Sequence, residues 1–308
     1  MNEFKSIIEE ICKELSINLN IISNGWVYVL EKNGKRRFLT ATTFDLNNHA
    51  IGKIFDDKYA TYELLKNIDI PVIYHSLAYN DDNTSDYAFG KNTKDYIYDF
   101  YNKNDCNIVL KANNGYGGKS VFHVTEKSEI DKVLENLFLN CNSISMCPYY
   151  NIKNEYRIIV LNGNIELMYK KIKPVIIGDG KSTIRDLLVK ENEHFFKDNY
   201  LSSEYDRVLS LGETYEFNWQ FNLSKGASIS LDIDSEVKED ILKIINKITS
   251  NIEVGFASID IVELYNGEKM VMEINSGVAM QHFRKLANNG YEISKKIYKK
   301  AVMKLFDL

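Results

Sequence analysis

The segment GFASIDIVELYNGEKMVMEIN, residues 255–275, predicts a β-hairpin. Polar and apolar residues alternate over 258–264, and the alternation resumes over 269–274. Asn266 and Gly267 lie between the two runs and are typical residues of a tight hairpin turn. The fold prediction starts from this hairpin, because it fixes which side chains of the two strands lie beside each other.

Three oxygen-bearing side chains meet on one face of the predicted hairpin. Around a two-residue turn Asp260 and Glu273 come opposite each other, and Asn275 follows on the same face. Oxygen ligands of this kind suit magnesium, which proteins hold with one or two carboxylates while substrate phosphates complete the octahedron. The alternative is a pair of solvated carboxylates on an exposed hairpin. It is disfavoured because both lie within apolar runs, where unpaired carboxylates are costly. We therefore predict a metal site formed by Asp260, Glu273 and Asn275.

Length and composition indicate a globular chain with a substantial core. The chain has 308 residues, of which 44% are hydrophobic and 26% are charged. The net charge of -5 argues against nonspecific nucleic-acid binding as the main task, since that requires a basic surface.

The chain shows no signal for export or membrane insertion. Residues 1–17 have the spacing of an amphipathic helix, and no run approaches the roughly 18 apolar residues that a membrane span requires. The four cysteines show no CxxC spacing, so we expect reduced thiols and a cytoplasmic location.

Predicted strands and helices alternate without a clean parallel βαβ series. Residues 1–56 predict a helix followed by a small sheet, and 130–139 predict an amphipathic helix. A second strand pair brackets 162–164, and a long helix is predicted over 236–251. This order favours the α+β class.

A glycine-rich loop follows the predicted strand that ends at Lys111. Glycines allow backbone N–H groups to approach an anion closely, and a lysine at the strand end can reach the same phosphates. An ordinary hairpin turn is the alternative. A P-loop is excluded because Asn113 stands where that motif requires glycine, and because a strand, VFHV, follows instead of a helix. The predicted anion-binding residues of this loop are Gly115, Gly117, Gly118 and Ser120.

Two further positions attract attention by their surroundings. Arg157 lies among apolar residues of a predicted strand, where an arginine is paired either with a structural carboxylate or with a bound phosphate or carboxylate. Both alternatives remain open for it. His282 lies just after the predicted metal strand, and we assign it as a substrate contact.

The order of these motifs resembles the ATP-grasp superfamily over roughly residues 51–285. DDKYATYELLKNIDIPV is similar to the opening segment of that family, which gives Lys58 a nucleotide contact. NIVLKANNGYGGKSV resembles the strand and mobile lid, with Lys111 as the second nucleotide lysine. NEYRIIVLNG is similar to the segment in which Glu155 would bind ribose and Arg157 would meet the transferred phosphate. SIDIVELYNGEKMVMEINSG resembles the magnesium hairpin.

Two loops resemble the branch that contains cyanophycin synthetase and bifunctional glutathione synthetase, namely VIIGDGKSTIRDLL and NLSKGAS. Members of this branch join amino acids or peptides through amide bonds. The resemblance places the following residues on the acceptor side of the cleft: Lys171, Arg207, Asn222, Ser224 and Gly226. Two departures matter. SISMCPYY lacks the acidic pair often found there, which leaves adenine recognition to backbone groups near Tyr150. Ser258 stands where D-alanine ligases carry arginine.

The resemblance implies an ATP-grasp fold, with two α+β lobes that clasp ATP and a shortened N-terminal region. It divides the chain into an N-terminal region, 1–105, a lid subdomain, 106–150, and a C-terminal core with the magnesium site, 151–308. The implied activity is that of an ATP-dependent carboxylate–amine ligase that forms an acyl phosphate with ATP and two magnesium ions. Catalysis falls to Arg157 and Lys111.

The implied partners are small-molecule substrates, either amino acids or peptides, with no nucleic acid or membrane, and a homodimer is the default for the oligomeric state. The alternatives are a small-molecule kinase on the same fold and a noncatalytic nucleotide-binding protein.

Overall fold

The computed structural model describes residues 3–80, 93–115, 117, 120–191 and 203–308. Within these ranges the α-helices are α1 Glu3–Glu14, α2 His49–Phe55, α3 Lys58–Asn67, α4 Thr93–Lys103, α5 Ile130–Phe138, α6 Ile184–Glu191, α7 Ser235–Asn251, α8 Gln281–Leu286 and α9 Gly290–Leu305. Among the described helices, none combines the length and hydropathy needed to span a bilayer.

The strands are β1 Asn18–Ile22, β2 Val27–Lys32, β3 Lys35–Thr40, β4 Thr43–Phe44, β5 Ser76–Tyr79, β6 Ile108–Ala112, β7 Val121–Val124, β8 Ser143–Pro148, β9 Ile152–Leu161, β10 Asn164–Ile172, β11 Val175–Ile177, β12 Thr214–Glu216, β13 Ser228–Ser230, β14 Phe256–Leu264 and β15 Lys269–Asn275. They form several separate sheets. This mixture of helices and sheets confirms the predicted α+β class.

The central sheet has the strand order β13-β10-β9-β14-β15, and all of its neighbours are antiparallel. One face is apolar and packs against α3 and α7. Helix α7 contributes Ile241, Ile245 and Ile248, which are completely buried and recur at the spacing of one helix face. Asp234 caps the start of α7 through a 2.8 Å hydrogen bond from the Glu236 N–H.

A second sheet, which we call the lid sheet, has the order β5-β8-β6-β7 and is covered by α4 and α5. Strand β5, Ser76–Tyr79, forms its edge by pairing with β8. The lid sheet therefore includes residues that precede position 106, where the predicted lid subdomain begins. The division of the chain at residues 105 and 150 stays a prediction.

The N-terminal sheet, β1 to β4, packs together with α1 and α9 against one end of the central sheet. Phe4, Tyr28, Phe44 and Tyr298 form aromatic edge contacts in this layer, with ring centroids 5.1 to 6.4 Å apart. The backbone there comes so close to Gly255 that an added Cβ would lie 2.1 Å from a backbone oxygen, so this position requires glycine.

A small unit between β11 and β12 completes the described fold. These two strands pair with each other, and α6 packs on them around a buried cluster that includes Ile176, Leu188 and Leu209. The unit contains the IGDGKST loop, in which Asp179 accepts hydrogen bonds from the backbone N–H groups of Lys181 and Ser182.

Candidate active site

A row of polar side chains crosses the central sheet. Arg157 on β9 is paired with Tyr169 on β10 and with Asp260 on β14, and Asp260 is paired with Glu273 on β15. Directly paired residues of neighbouring strands point to the same face, so these side chains form a line across four strands. The predicted placement of Asp260 opposite Glu273 is confirmed.

The loop length and the register of the hairpin differ from the predicted ones, although the pairing of Asp260 with Glu273 is the same. Its loop has three residues, 265–267, with Gly267 at φ +87°, where a two-residue turn was predicted. This loop alone would set Asp260 opposite Met272. Met272 instead forms a β-bulge without a partner on β14, and the bulge brings Glu273 opposite Asp260.

Lys171 lies beside this row and is 5% exposed. Its ammonium donates to a carboxylate oxygen of Glu155, which is also 5% exposed, and to Oδ2 of Asp260 at 3.2 Å. A second bulge, at Glu166, sets this pairing, because without it Glu155 would face Lys170. The sheet therefore carries an alternating set of charges, of which Arg157 and Glu273 are only partly buried. We call this set the charged strip: Glu155, Arg157, Lys171, Asp260 and Glu273.

The charged strip perturbs the titration of its members. Burial by itself would raise the pKa of Asp260, but Arg157 and Lys171 outweigh burial and hold that pKa at about 2. Burial raises the pKa of Glu155, although Lys171 opposes the shift. Burial also works against the charge on Lys171, yet Asp260 and Glu155 raise its pKa overall. Asp260, Arg157 and Lys171 are therefore charged at neutral pH.

Glu273 differs from the rest of the strip. Like Arg157 it is partly exposed, but unlike the other members of the strip it has no ion pair with a described residue. Its Oε1 accepts a 3.2 Å hydrogen bond from Asn275 Nδ2, which leaves Oδ1 of Asn275 free to bind a cation. Asp260 has both oxygens engaged by Arg157 and Lys171 and is 1% exposed. Of the three predicted metal ligands, Glu273 and Asn275 are thus the ones with available oxygens.

The magnesium assignment stays a prediction. Among the described residues, no group of three or more His, Cys, Asp or Glu side chains is arranged to hold a metal ion. The predicted set contains two carboxylates and one amide, and such a set fits magnesium only together with further oxygens such as those of phosphates.

The strip lies between two apolar contacts on its own face of the sheet. On one side Ile159 and Phe256 pack against the N-terminal layer. On the other side Val262 packs with Val109 and Cys147 of the lid sheet. The charged strip is therefore the floor of a cleft between the N-terminal layer and the lid sheet.

Lys58 begins α3 and is held against the glycine-rich loop. Its ammonium donates to the carbonyl oxygen of Asn113 at 3.2 Å and to that of Gly115. Asn113 in turn donates to Asp57 at 2.7 Å and accepts from the Tyr59 N–H at 3.1 Å. Burial lowers the pKa of Lys58, and the nearby Glu273 opposes this shift. The structure thus brings Lys58, Gly115 and Glu273 together.

Lys111 is buried at the end of β6, directly opposite Ser145 of β8. Ser145 forms a 2.6 Å hydrogen bond with Nδ1 of His75, which is 1% exposed. Burial, Lys111 and Lys58 together lower the pKa of His75 well below its usual range. A neutral imidazole therefore lies close to both predicted nucleotide lysines. A hydrogen bond to the Met272 backbone opposes this pKa shift without reversing it.

The glycine-rich loop is joined to the rest of the cleft by Asn222. Asn222 Nδ2 donates to the carbonyl oxygen of Gly117 at 3.0 Å, while its Oδ1 accepts from the Ser224 N–H and hydroxyl. Gly226 ends this turn with φ +97°. Ser120 follows the loop with φ +56°, and Gly118 lies outside the described residues.

Three remaining predicted contacts occupy different surroundings. Arg207 lies in the unit around α6 and donates to Glu213 at 2.6 Å, and its side chain is half exposed. Tyr150 is partly buried, and its hydroxyl accepts a 3.4 Å hydrogen bond from the Tyr74 N–H. Burial lowers the pKa of His282, and Lys285 and Arg157 lower it further. His282 thus lies near the strip, whereas the described contacts of Arg207 do not reach it.

Sequence reasoning did not predict a role for His75, and it did not predict the hydrogen bonds of the Asn113 side chain with Asp57 and the Tyr59 N–H. Neither has a motif spacing, so only the pairing of β8 with β6 and the position of α3 reveal them. The sequence did single out Asn113 in one respect, because this residue stands where the P-loop pattern requires glycine.

Several known proteins are similar to this chain in sequence. No family model matches the chain. Cyanophycin synthetase of Geminocystis herdmanii is 26% identical over 198 residues, which are 55% of this chain and 22% of that protein. The bifunctional glutathione biosynthesis protein GshAB of Lactiplantibacillus plantarum is 22% identical over 243 residues, which are 71% of this chain and 30% of that protein. The chain thus spans less than a third of either relative.

Solved structures decide the fold. D-alanyl-alanine synthetase A of Vibrio cholerae superposes with a TM-score of 0.57 at 13% identity and covers 97% of this chain and 92% of its own. The chain has the ATP-grasp fold. A second ATP-grasp structure, the bifunctional glutathione synthetase of Pasteurella multocida, superposes with a TM-score of 0.53 at 13% identity, over 97% of this chain and 43% of that one. The resemblance predicted from the motifs is confirmed.

Proposed function

We propose that this protein is an ATP-dependent carboxylate–amine ligase that joins amino acids or peptides and releases ADP and phosphate. One observation carries the proposal. The charged strip contains Arg157, Lys171 and a Glu273 that has no ion pair with a described residue, and Lys58 and Lys111 lie beside it. Such a site can hold a polyphosphate and stabilise charge that moves between its oxygens.

The similar proteins support an amide-forming reaction. Their names describe the synthesis of cyanophycin, glutathione and D-alanyl-alanine, which are built by joining amino acids. The D-alanine–D-alanine ligase of Bacillus anthracis, which superposes with a TM-score of 0.51 at 14% identity over 81% of this chain and 64% of that one, was solved with ATP. We extend these activities to the present chain as part of the proposal.

We place ATP between the lid sheet and the charged strip. The adenine ring would contact the apolar cluster around Val109, Cys147 and Val262, near the backbone of Tyr150. Lys58 and Lys111 would neutralise phosphate charge, and Glu155 would face the ribose. The loop around Gly115 and Gly117, predicted to cover the phosphates, is the part of the lid that closes over ATP and excludes water.

Glu273 and Asn275 would hold magnesium, since their oxygens are available and Glu273 lies near Lys58. Bound magnesium would supply positive charge to the phosphate oxygens. Asp260 could join them only after Arg157 turned from it to a phosphate. We therefore assign Arg157 two alternating partners, the Asp260 carboxylate at rest and the transferred phosphoryl group during the reaction.

The proposed chemistry has two balanced steps. A carboxylate oxygen of the donor attacks the γ-phosphorus of ATP, so that ADP leaves and an acyl phosphate forms. The amine of the acceptor then attacks the acyl carbon and loses a proton, and phosphate leaves with the former carboxylate oxygen. The protein contributes by positioning the reactants and stabilising charge, with Arg157 at the transferred group and Lys171 fixed behind it.

The proposal includes small-molecule amino acid or peptide substrates as partners, the cytoplasm as location and a homodimer as the default assembly. The four cysteines are all free thiols, in keeping with a reducing compartment.

Coupled detection of ADP and phosphate tests the proposal. The protein is incubated with magnesium-ATP and pools of the twenty amino acids, and the products are analysed by mass spectrometry. We expect equal amounts of ADP and phosphate together with an adduct lighter than its two reactants by one water. ADP without phosphate, together with a phosphorylated product, would identify a kinase and overturn the ligase assignment.

A further inference from the structure

A cavity of about 160 Å³ lies between the N-terminal sheet and the segment that leaves β15. One wall comes from the N-terminal layer, and the other from residues 279–281 and α8. Its volume is well below the several hundred Å³ of a nucleotide-sized or drug-sized pocket, so it suits a ligand of about the size of one amino acid. The residues used in the argument below are Trp26, Tyr28, Thr42, Met280, Gln281 and Arg284.

Arg284 gives the cavity its chemistry. Its side chain is only 5% exposed, and its Nε–H has no hydrogen-bond partner among the described residues. The nearest carboxylate to it in the described chain is Glu3, 3.5 Å from Nη2, with a side chain that is 52% exposed. Such an exposed contact is weak. The Tyr298 hydroxyl also interacts with Arg284, but a neutral hydroxyl does not balance its charge, so the buried guanidinium has no buried carboxylate as a partner among the described residues, which is costly. The described residues that line the cavity include no acidic side chain.

The walls of the cavity are held rigidly. The Val278 N–H donates to the Thr42 carbonyl at 3.1 Å. The Tyr298 hydroxyl donates to the Val278 carbonyl at 2.7 Å and accepts from the Met280 N–H at 3.2 Å. The cavity therefore keeps its shape without a ligand, and this lowers the entropy lost on binding.

The position of the cavity relates it to the active site. The segment 276–281 follows directly after Asn275 and leads into the wall of the cavity. The cavity lies on the side of the N-terminal layer, whereas the glycine-rich loop and the lid sheet lie on the other side of the charged strip. ATP and the ligand of the cavity would thus approach the strip from opposite sides.

We propose that this cavity binds the carboxylate of an amino-acid-sized molecule. The carboxylate would accept hydrogen bonds from the Nε–H and Nη2–H of Arg284, a geometry in which arginine binds carboxylates with two parallel bonds. Trp26, Tyr28 and Met280 would contact the apolar part of the molecule, which inorganic phosphate lacks. The claim that this molecule is a substrate of ligation rests on the function proposed above. The claim that the cavity binds it does not depend on that function.

Fluorescence of Trp26 tests the binding directly. The chain has two tryptophans, so Trp219→Phe leaves Trp26 at the cavity as the sole reporter. This variant is titrated without ATP with each of the twenty amino acids and with inorganic phosphate, up to about 10 mM, which covers the affinities expected of so small a ligand. We expect a saturable change with at least one amino acid and none with the corresponding amino-acid amide.

Three further variants in this background locate the ligand. Arg284→Gln should weaken binding by at least about tenfold, as expected for loss of a charged hydrogen-bonded pair. Ala279→Leu narrows the cavity from an exposed position and should weaken binding while the fold and Arg284 remain intact. Lys285→Gln removes an equal charge from an exposed neighbour of Arg284 and should leave the affinity within about twofold.

Two results would overturn the assignment: no saturable change with any amino acid, or equal affinity in the Ala279→Leu variant. A change with phosphate alone would overturn the carboxylate class. Carboxylate binding without any ADP formation in the unmodified protein would uphold the cavity and count against the ligase. ADP and phosphate formation without a fluorescence change of Trp26 on carboxylate addition would uphold the ligase and overturn the assignment of the cavity.

Discussion

The guanidinium of Arg157 donates two hydrogen bonds to the carboxylate of Asp260, from Nε to Oδ1 at 2.8 Å and from Nη2 to Oδ2 at 2.5 Å. Asp260 is almost completely buried, so this pair replaces the water that both charges would otherwise bind. The sequence left two partners open for Arg157, a structural carboxylate or a bound anion. The structure has the first, and the proposed reaction requires an exchange to the second.

Glu273→Gln should abolish ligation and leave the fold intact. Glu273 is the carboxylate of the strip without an ion pair to a described residue, so its charge is available for magnesium. It also favours the charged form of Lys58, but the Lys58 ammonium keeps its hydrogen bonds to the carbonyl oxygens of Asn113 and Gly115 in the variant. We expect the rate of ADP formation to fall by at least about 100-fold. Glu268→Gln, at the exposed residue that directly follows the loop of the same hairpin, is the matched control and should retain activity. A Glu273→Gln protein that forms ADP at close to the normal rate would contradict the metal assignment.

Lys171→Met should destabilise the fold strongly. The substitution leaves Glu155 buried without its partner and removes one of the two cations that Asp260 contacts. Breaking a buried ion pair in this way costs about 3–5 kcal/mol of the free energy of unfolding. Urea denaturation followed by circular dichroism measures it. Lys170→Met, on the same strand but facing away from the strip, should change the free energy by less than about 1 kcal/mol. Equal effects of the two substitutions would show that the buried pair has no special role.

The neutral His75 should make the fold less stable in mild acid. Burial lowers its pKa in the folded state well below the ordinary value of 6.5, so below pH 6.5 the unfolded chain gains a proton that the folded chain does not. The free energy of unfolding should therefore be highest above this pH and fall by up to about 1.4 kcal/mol per pH unit below it. Denaturation between pH 7.5 and 5.5 should show a smaller slope in His75→Asn. The exposed His49→Asn is the control, and identical slopes in both variants would refute the role of His75.

Asn222→Asp should weaken ATP binding with little loss of maximal rate. Aspartate keeps the oxygen that accepts from Ser224 but cannot donate to the Gly117 carbonyl, so the variant removes only the contact between the glycine-rich loop and the rest of the cleft. We expect the KM for ATP to rise about threefold to tenfold, as for the loss of one hydrogen bond in the closed state. Asn218→Asp alters a similar turn, in which Asn218 accepts from Gln220, and should leave the KM unchanged. A rise in both variants would show a general effect of added charge.

The pairing of Asp260 with Glu273 could be predicted because the hairpin pattern is local. Alternation and the Asn266–Gly267 pair indicate two paired strands, and this alone brought Asp260 and Glu273 together. The loop length was wrong by one residue, and the bulge at Met272 compensates for it. Bulges depend on packing across the sheet, which no local pattern shows.

Lys171 illustrates what the sequence could not show. The resemblance placed it on the acceptor side of the cleft, whereas the structure buries it between Glu155 and Asp260. The bulge at Glu166 decides which of two neighbouring lysines faces the strip. His75 was missed for a related reason, since its neighbours Ser145 and Lys111 come from strands that are distant in sequence.

Transfer of an oxygen atom from substrate to phosphate tests the central claim most directly. The protein is incubated with magnesium-ATP and amino acids whose carboxylates carry heavy oxygen, and the phosphate released is analysed by mass spectrometry. An acyl phosphate intermediate requires that each phosphate released carries one oxygen atom from the donor carboxylate, while the peptide retains the other. Phosphate that contains no heavy oxygen, although ADP and an amide are formed, would contradict the account.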